Sequence, residues 1–117
     1  MNIIIKHLAS YKYSIRGIWL AFRFDPNMIF HSAAAGIVFI VNILLDVTKN
    51  DWVISLILIG MAWTVEIFNT AIEKLADRVT KEKDPLIGQA KDLASGAVLV
   101  TCAFAMICAI IIYLPYL

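Results

Sequence analysis

The chain has 117 residues, of which 62% are hydrophobic and only 16% charged, at a mean hydropathy of +0.83, whereas an ordinary soluble domain carries about 25% charged residues. That balance excludes a disordered tail and argues against a soluble globular enzyme, and a net charge of +1 without a basic cluster excludes nucleic acid as a partner. The length allows one domain, residues 1–117, whose core is small for a single copy, so self-association is expected.

In chain order, residues 1–24 carry Lys6, Lys12, Arg16 and Arg23, with Ile4, Leu8, Ile15, Ile18, Trp19 and Phe22 recurring among them at mostly helical spacing. The pattern predicts an amphipathic helix lying on the inner leaflet; read more plainly, it is a positively charged topology anchor. A first membrane span is predicted over 28–45, where His31, Ser32 and Asn42 are the polar interruptions. The small residues Ala33-Ala34-Ala35-Gly36 fall inside this run instead of closing it, so a cleavable signal peptide is not expected. A turn containing Asp46, Lys49 and Asp51 leads to a second span, 52–72, uncharged as far as Val65 and amphipathic beyond it. The third span, 93–114, lies in a run of 25 uncharged residues from Leu93 to Leu117, and Leu114-Pro115-Tyr116 supplies a stop and an interfacial aromatic. Cys102 and Cys108 sit inside that apolar run at a spacing that fits neither a redox pair nor a metal knuckle, and read as small packing residues. The expected fold is therefore all-α and integral to the membrane, a surface helix plus three spans. Lys74, Arg78, Lys81, Lys83 and Lys91 between the second and third spans put that segment and the amino terminus in the cytoplasm, and the carboxyl terminus outside.

The informative segment is Glu66 to Asp92, which concentrates acid, amide and lysine where a membrane protein avoids them. At about 100° per residue, Glu66, Asn69, Glu73 and Asp77 fall at roughly 0°, 300°, 340° and 20°, one face about 80° wide. With Asp51 at the outer boundary, a hydrocarbon core of about 30 Å crossed at 1.5 Å per residue ends near Ala71. Glu66 then lies inside the hydrocarbon, and Glu73 and Asp77 in the headgroup layer or water. Such a stripe can glue helices together in an oligomer, but three acids on one face repel one another unless a cation or protons intervene. Carboxylates without His or Cys partners suit Mg²⁺, which takes one or two protein carboxylates together with substrate phosphates, so a phosphate-bearing ligand is expected. Lys91, with Ser95 four residues on along the same face, supplies a point charge for it. No GxxxxGK[ST] loop and no protein-kinase signature occurs.

Val65-Glu66-Ile67-Phe68-Asn69-Thr70-Ala71-Ile72-Glu73-Lys74-Leu75-Ala76-Asp77-Arg78, followed by Ala90-Lys91-Asp92-Leu93-Ala94-Ser95-Gly96-Ala97-Val98-Leu99, resembles the signature of the small prokaryotic diacylglycerol kinase and undecaprenol kinase family, E-x-x-N-[ST]-A-I-E-x-x-x-D with a later A-K-D-x-x-[SA]-x-A-V. The resemblance implies an integral-membrane homotrimer with composite active sites at the cytoplasmic interface, each phosphorylating the primary hydroxyl of a membrane lipid with ATP and Mg²⁺. Diacylglycerol, giving phosphatidic acid, is the first reading of the substrate, and undecaprenol, giving undecaprenyl phosphate, is the alternative. By matching positions, Glu66 would be the catalytic base in contact with the lipid hydroxyl, and Asn69 would help hold the reacting groups. Glu73 would bind the metal, as would Asp25, which stands where the family usually has a glutamate. Lys91, Asp92 and Asp77 would contact the nucleotide, joined by Tyr13 in Tyr13-Ser14-Ile15-Arg16-Gly17 and by Lys6, while Ser95 would face the lipid. The resemblance implies that the loop Glu82-Lys83-Asp84 would belong to the same nucleotide site, with Asp84 in place of a common histidine. His31 occupies a position that is acidic in the diacylglycerol branch, and is either a mark of the undecaprenol branch or a helix-packing partner. Two rival readings are a small oligomeric proton-coupled exporter, which calls for four spans and a glutamate nearer mid-membrane, and a structural subunit that docks through the stripe.

Overall fold

A computed structural model describes residues 2–117 as α1 (Ile3–Phe24), α2 (Pro26–Leu45), α3 (Lys49–Val79), α4 (Pro85–Tyr113) and a closing 3₁₀ turn, Leu114–Tyr116. Each helix begins where a side chain takes over an orphaned backbone amide. Asn2 Oδ1 accepts from the Ile4 amide at 2.9 Å, Asp25 Oδ1 from Asn27 at 2.9 Å, Thr48 Oγ1 from Asp51 at 3.2 Å, and Asp84 Oδ1 from Leu86 and Ile87 at 2.9 and 3.1 Å. Pro26 and Pro85 follow their caps at the head of α2 and α4, where a missing N–H breaks no helical bond. Asp46 closes α2 in the left-handed conformation, φ 50° and ψ 54°, which a short polar side chain tolerates.

The all-α class and the three long apolar helices agree with the sequence reading, but the helices run further than their membrane-spanning parts. α4 starts at Pro85, ahead of the span predicted over 93–114, because Asp84-Pro85 is a cap followed by a first-position proline. The 31 residues of α3 and the 29 of α4 extend roughly 46 and 43 Å at 1.5 Å per residue, against a hydrocarbon layer of about 30 Å. The surplus forms a polar helical hairpin beyond the apolar zone, closed by residues 80–84.

Packing inverts the soluble pattern. Among the described residues, the buried set includes Asp25, His31, Asn42, Ser55, Glu66, Asn69 and Thr101, while most large aliphatic and aromatic side chains point outward. Water would not tolerate such a surface; a bilayer covers it, and the chain is a membrane protein. α3 is the central helix, packed along α4 and flanked by α2. α1 is fastened to it by Phe22, edge-on to Trp63 at 5.4 Å between ring centres.

At the end remote from the 80–84 loop, polar side chains tie the three long helices together. The fully buried Asn42 donates from Nδ2 to Ser55 Oγ at 3.2 Å and accepts from the Tyr113 hydroxyl at 2.5 Å. Tyr116 donates to Asp51 Oδ2 at 2.9 Å. Asn42→Ala would leave the Tyr113 hydroxyl without its acceptor inside the bundle, and a loss of about 1–3 kcal/mol is expected. Thermal unfolding in detergent checks this, with activity per folded molecule expected to stay at the wild-type level.

Candidate active site

α3 turns Glu66, Asn69 and Thr70 towards the beginning of α2, and Glu66 is only 2% exposed there. Thr70 Oγ1 donates to Asp25 Oδ2 at 2.5 Å and lies 3.5 Å from Glu66 Oε1, so one hydroxyl stands between two carboxylates. The Glu66 carboxylate also faces the side chains of Asp25 and Asn27, and its Oε2 is 3.6 Å from His31 Nε2. Two carboxylates held this close and out of water repel unless a proton or a cation lies between them. One turn either side of Glu66, Asn69 Oδ1 and Trp63 Nε1 are buried without a hydrogen-bond partner, as is Ser32 Oγ beside His31. Orphaned polar atoms of this kind cost about 1–3 kcal/mol each and call for a partner that the described residues do not supply.

Further along α3, Asp77 meets Lys91 Nζ of α4 at 2.9 Å on the polar hairpin. The hydrogen bond first, and the opposite charge second, hold Asp77 below and Lys91 above their ordinary pKa. Both side chains are largely open to solvent, at 62% and 40% exposure, so the pair adds little to stability and Lys91 can exchange its partner for another anion. The two residues border a recess of about 430 Å³ whose rim includes Lys81, Glu82, Lys83 and Asp84. Glu73 is half-buried between the two groups, close enough for its charge to act on Lys91. A second recess, apolar and about 310 Å³, is shared by α2, α3 and α4 and runs from Phe30 and His31 to Ser55 and Tyr113.

The structure thus brings Asp25 to Glu66, and Asp77, Glu82, Lys83, Asp84 and Lys91 to one recess. Eleven residues of helix, roughly 16 Å, separate Glu66 from Asp77. Lys6, Tyr13, Asp92 and Ser95 are exposed and line neither recess. Sequence reasoning gives Thr70 a place in the motif but no role, although at four residues from Glu66 it falls about 40° away on the same face. It likewise passed over Asp84 as the cap of α4, and Asn27, whose contact with Glu66 depends on how α2 meets α3.

The family model for prokaryotic diacylglycerol kinase matches residues 12–113. An undecaprenol kinase of Bacillus subtilis (strain 168) is 38% identical over 116 residues, covering 99% of this chain and 94% of that protein. A diacylglycerol kinase of Pseudomonas aeruginosa is 34% identical over 85 residues, 73% of this chain and 69% of that protein. One from Escherichia coli (strain K12) is 32% identical over 95 residues, 81% and 78% of the respective chains.

Proposed function

This chain belongs to the prokaryotic diacylglycerol kinase family and is a membrane lipid kinase, and from that premise we propose that it moves the γ-phosphoryl group of ATP to the primary hydroxyl of undecaprenol, with Glu66 accepting the hydroxyl proton. The observation that carries this reading is the buried Glu66, held against Asp25, Thr70 and His31, the last of which also lines the apolar recess. A lipid hydroxyl arrives from the bilayer and ATP from water, so the reacting groups have to meet at the boundary between the two.

In the reaction the hydroxyl proton passes to Glu66, the lipid oxygen bonds to the γ-phosphorus, and the bond from that phosphorus to the bridging oxygen breaks, its electron pair leaving with ADP. Phosphoryl transfer asks mainly for positioning and charge neutralisation. Lys91, with Lys81 and Lys83 beside it, supplies positive charge for the phosphates. Among the described residues no three His, Cys, Asp or Glu side chains gather as a preformed metal cage requires. The donors fit instead a magnesium ion carried with the nucleotide: Asp25 and Glu73 offer two carboxylates, and Asn69 Oδ1 is a buried oxygen with nothing to accept. When bound, the ion offsets charge on the phosphates; Asp25 and Glu73 are the residues to hold it.

The amino terminus and the polar hairpin lie on the cytoplasmic side, as the basic residues indicate, and the assembly is a homotrimer. The separation of Glu66 from the Lys91 recess within one chain supports a site completed by a neighbouring copy, to which the exposed Lys6, Tyr13, Asp92 and Ser95 are available. Family membership leaves no role for the exporter and docking readings. For the acceptor, the sequence reading puts diacylglycerol first; the 38% identity to an undecaprenol kinase across nearly the whole chain, together with His31 beside Glu66, favours the reverse order. Diacylglycerol is the second reading, supported by the 32–34% identity to diacylglycerol kinases.

Offering both lipids to the same detergent-solubilised protein and separating the labelled products tests the acceptor. Undecaprenyl phosphate is expected to dominate; predominant phosphatidic acid would restore diacylglycerol to first place. Lys91→Ala is expected to raise the KM for ATP about tenfold or more with little change in the lipid KM. Steady-state kinetics in each substrate checks this, and an unchanged ATP KM would remove Lys91 from the nucleotide site.

A further inference from the structure

His31 is 9% exposed, and its Nε2 lies 3.6 Å from Glu66 Oε2. This exceeds the roughly 2.7–3.2 Å of an N–H···O hydrogen bond, so ring and carboxylate face each other across a gap without bonding. The ring takes part in no other hydrogen bond among the described residues, and Phe30 steadies it edge-on, 6.0 Å between ring centres. It also lines the apolar recess, below which Ala34 and Ala35 leave the space open. A polar ring buried nine-tenths, unbonded, pointed at Glu66 and standing at the head of an apolar recess is more than a packing partner requires. A packed histidine satisfies its nitrogens within the fold.

We infer that His31 orients the acceptor hydroxyl against Glu66, an inference that rests on the lipid kinase reading above. One oxygen can sit about 2.8 Å from both Nε2 and Oε2, within hydrogen-bonding range of each. With Nε2 protonated, His31 donates to the hydroxyl oxygen while the hydroxyl donates to Glu66 Oε2, and the oxygen's remaining lone pair is fixed in direction for the γ-phosphorus. As the oxygen–phosphorus bond forms, the hydroxyl proton passes to Glu66 and the bridging electron pair leaves with ADP. His31 gives up no proton; its N–H holds the oxygen in place throughout.

The test measures transfer from γ-labelled ATP to undecaprenol by detergent-solubilised wild type, His31→Ala and His31→Gln, with elution volume and thermal midpoint recorded for each. His31→Ala is expected to lower kcat about 10–100-fold while the KM for ATP stays at the wild-type value. Added imidazole should recover a severalfold part of that loss, and His31→Gln, whose amide again offers an N–H, should stay within about fivefold of wild type. A His31→Ala protein with wild-type kcat overturns the inference. So does a loss that tracks a lowered thermal midpoint and that neither imidazole nor glutamine recovers, since this describes a residue needed only for packing. Wild-type protein that phosphorylates neither undecaprenol nor diacylglycerol would overturn the kinase reading itself, an outcome visible before any variant is compared.

Discussion

Glu66→Gln is expected to lower lipid phosphorylation by about 10²–10⁴-fold, the range that a positioned general base contributes, while leaving assembly intact. Glutamine keeps the volume of the side chain and can still meet Thr70, which lies 3.5 Å from Glu66 Oε1. It also removes one of two like charges buried side by side with Asp25, so the thermal midpoint should hold or rise. Loss of turnover together with undiminished stability is therefore the combined signature of a base. A structural carboxylate would show the opposite pairing, with stability falling and the activity of the folded fraction retained. Turnover at the wild-type level in this variant would sink the assignment.

Glu73→Ala should act on the metal requirement. About a tenfold or larger increase in the magnesium concentration giving half-maximal rate is expected, of the size seen when the support of a metal site is cut away, and a titration of rate against Mg²⁺ at saturating ATP reads it. Glu73 is the cleaner of the two proposed ligands to probe. Asp25 also caps α2 through the Asn27 amide and accepts from Thr70, so removing it costs about 1 kcal/mol of helix capping as well. An identical magnesium titration in Glu73→Ala would count against the ligand role.

Much of the architecture was legible because the bilayer enforces it. Long uncharged runs have one stable solution in hydrocarbon, and the 3.6-residue period puts Glu66, Asn69, Glu73 and Asp77 on a common face. What periodicity along one helix does not carry is how helices meet. The bond from Thr70 to Asp25 spans 45 positions, that from Tyr113 to Asn42 spans 71, and nothing in the spacing of either residue announces its partner. His31 and Asn42 were visible only as polar interruptions of an apolar run. One proves to face Glu66 and the other to join three helices at the opposite end. Composition marks where charge ends and so bounds a span, whereas a helix begins at its cap, and Asp84-Pro85 lies in polar surroundings ahead of the predicted third span.

The most direct measurement follows phosphorus from ATP into lipid. Detergent-solubilised protein, shown by elution volume to be assembled, is incubated with undecaprenol or diacylglycerol and with ATP labelled at either the γ or the α position. The expected result is γ-label in the lipid fraction, α-label retained in ADP, and neither in lipid when Glu66→Gln replaces the wild type. An assembled wild type that leaves both lipids unlabelled would contradict phosphoryl transfer at this site.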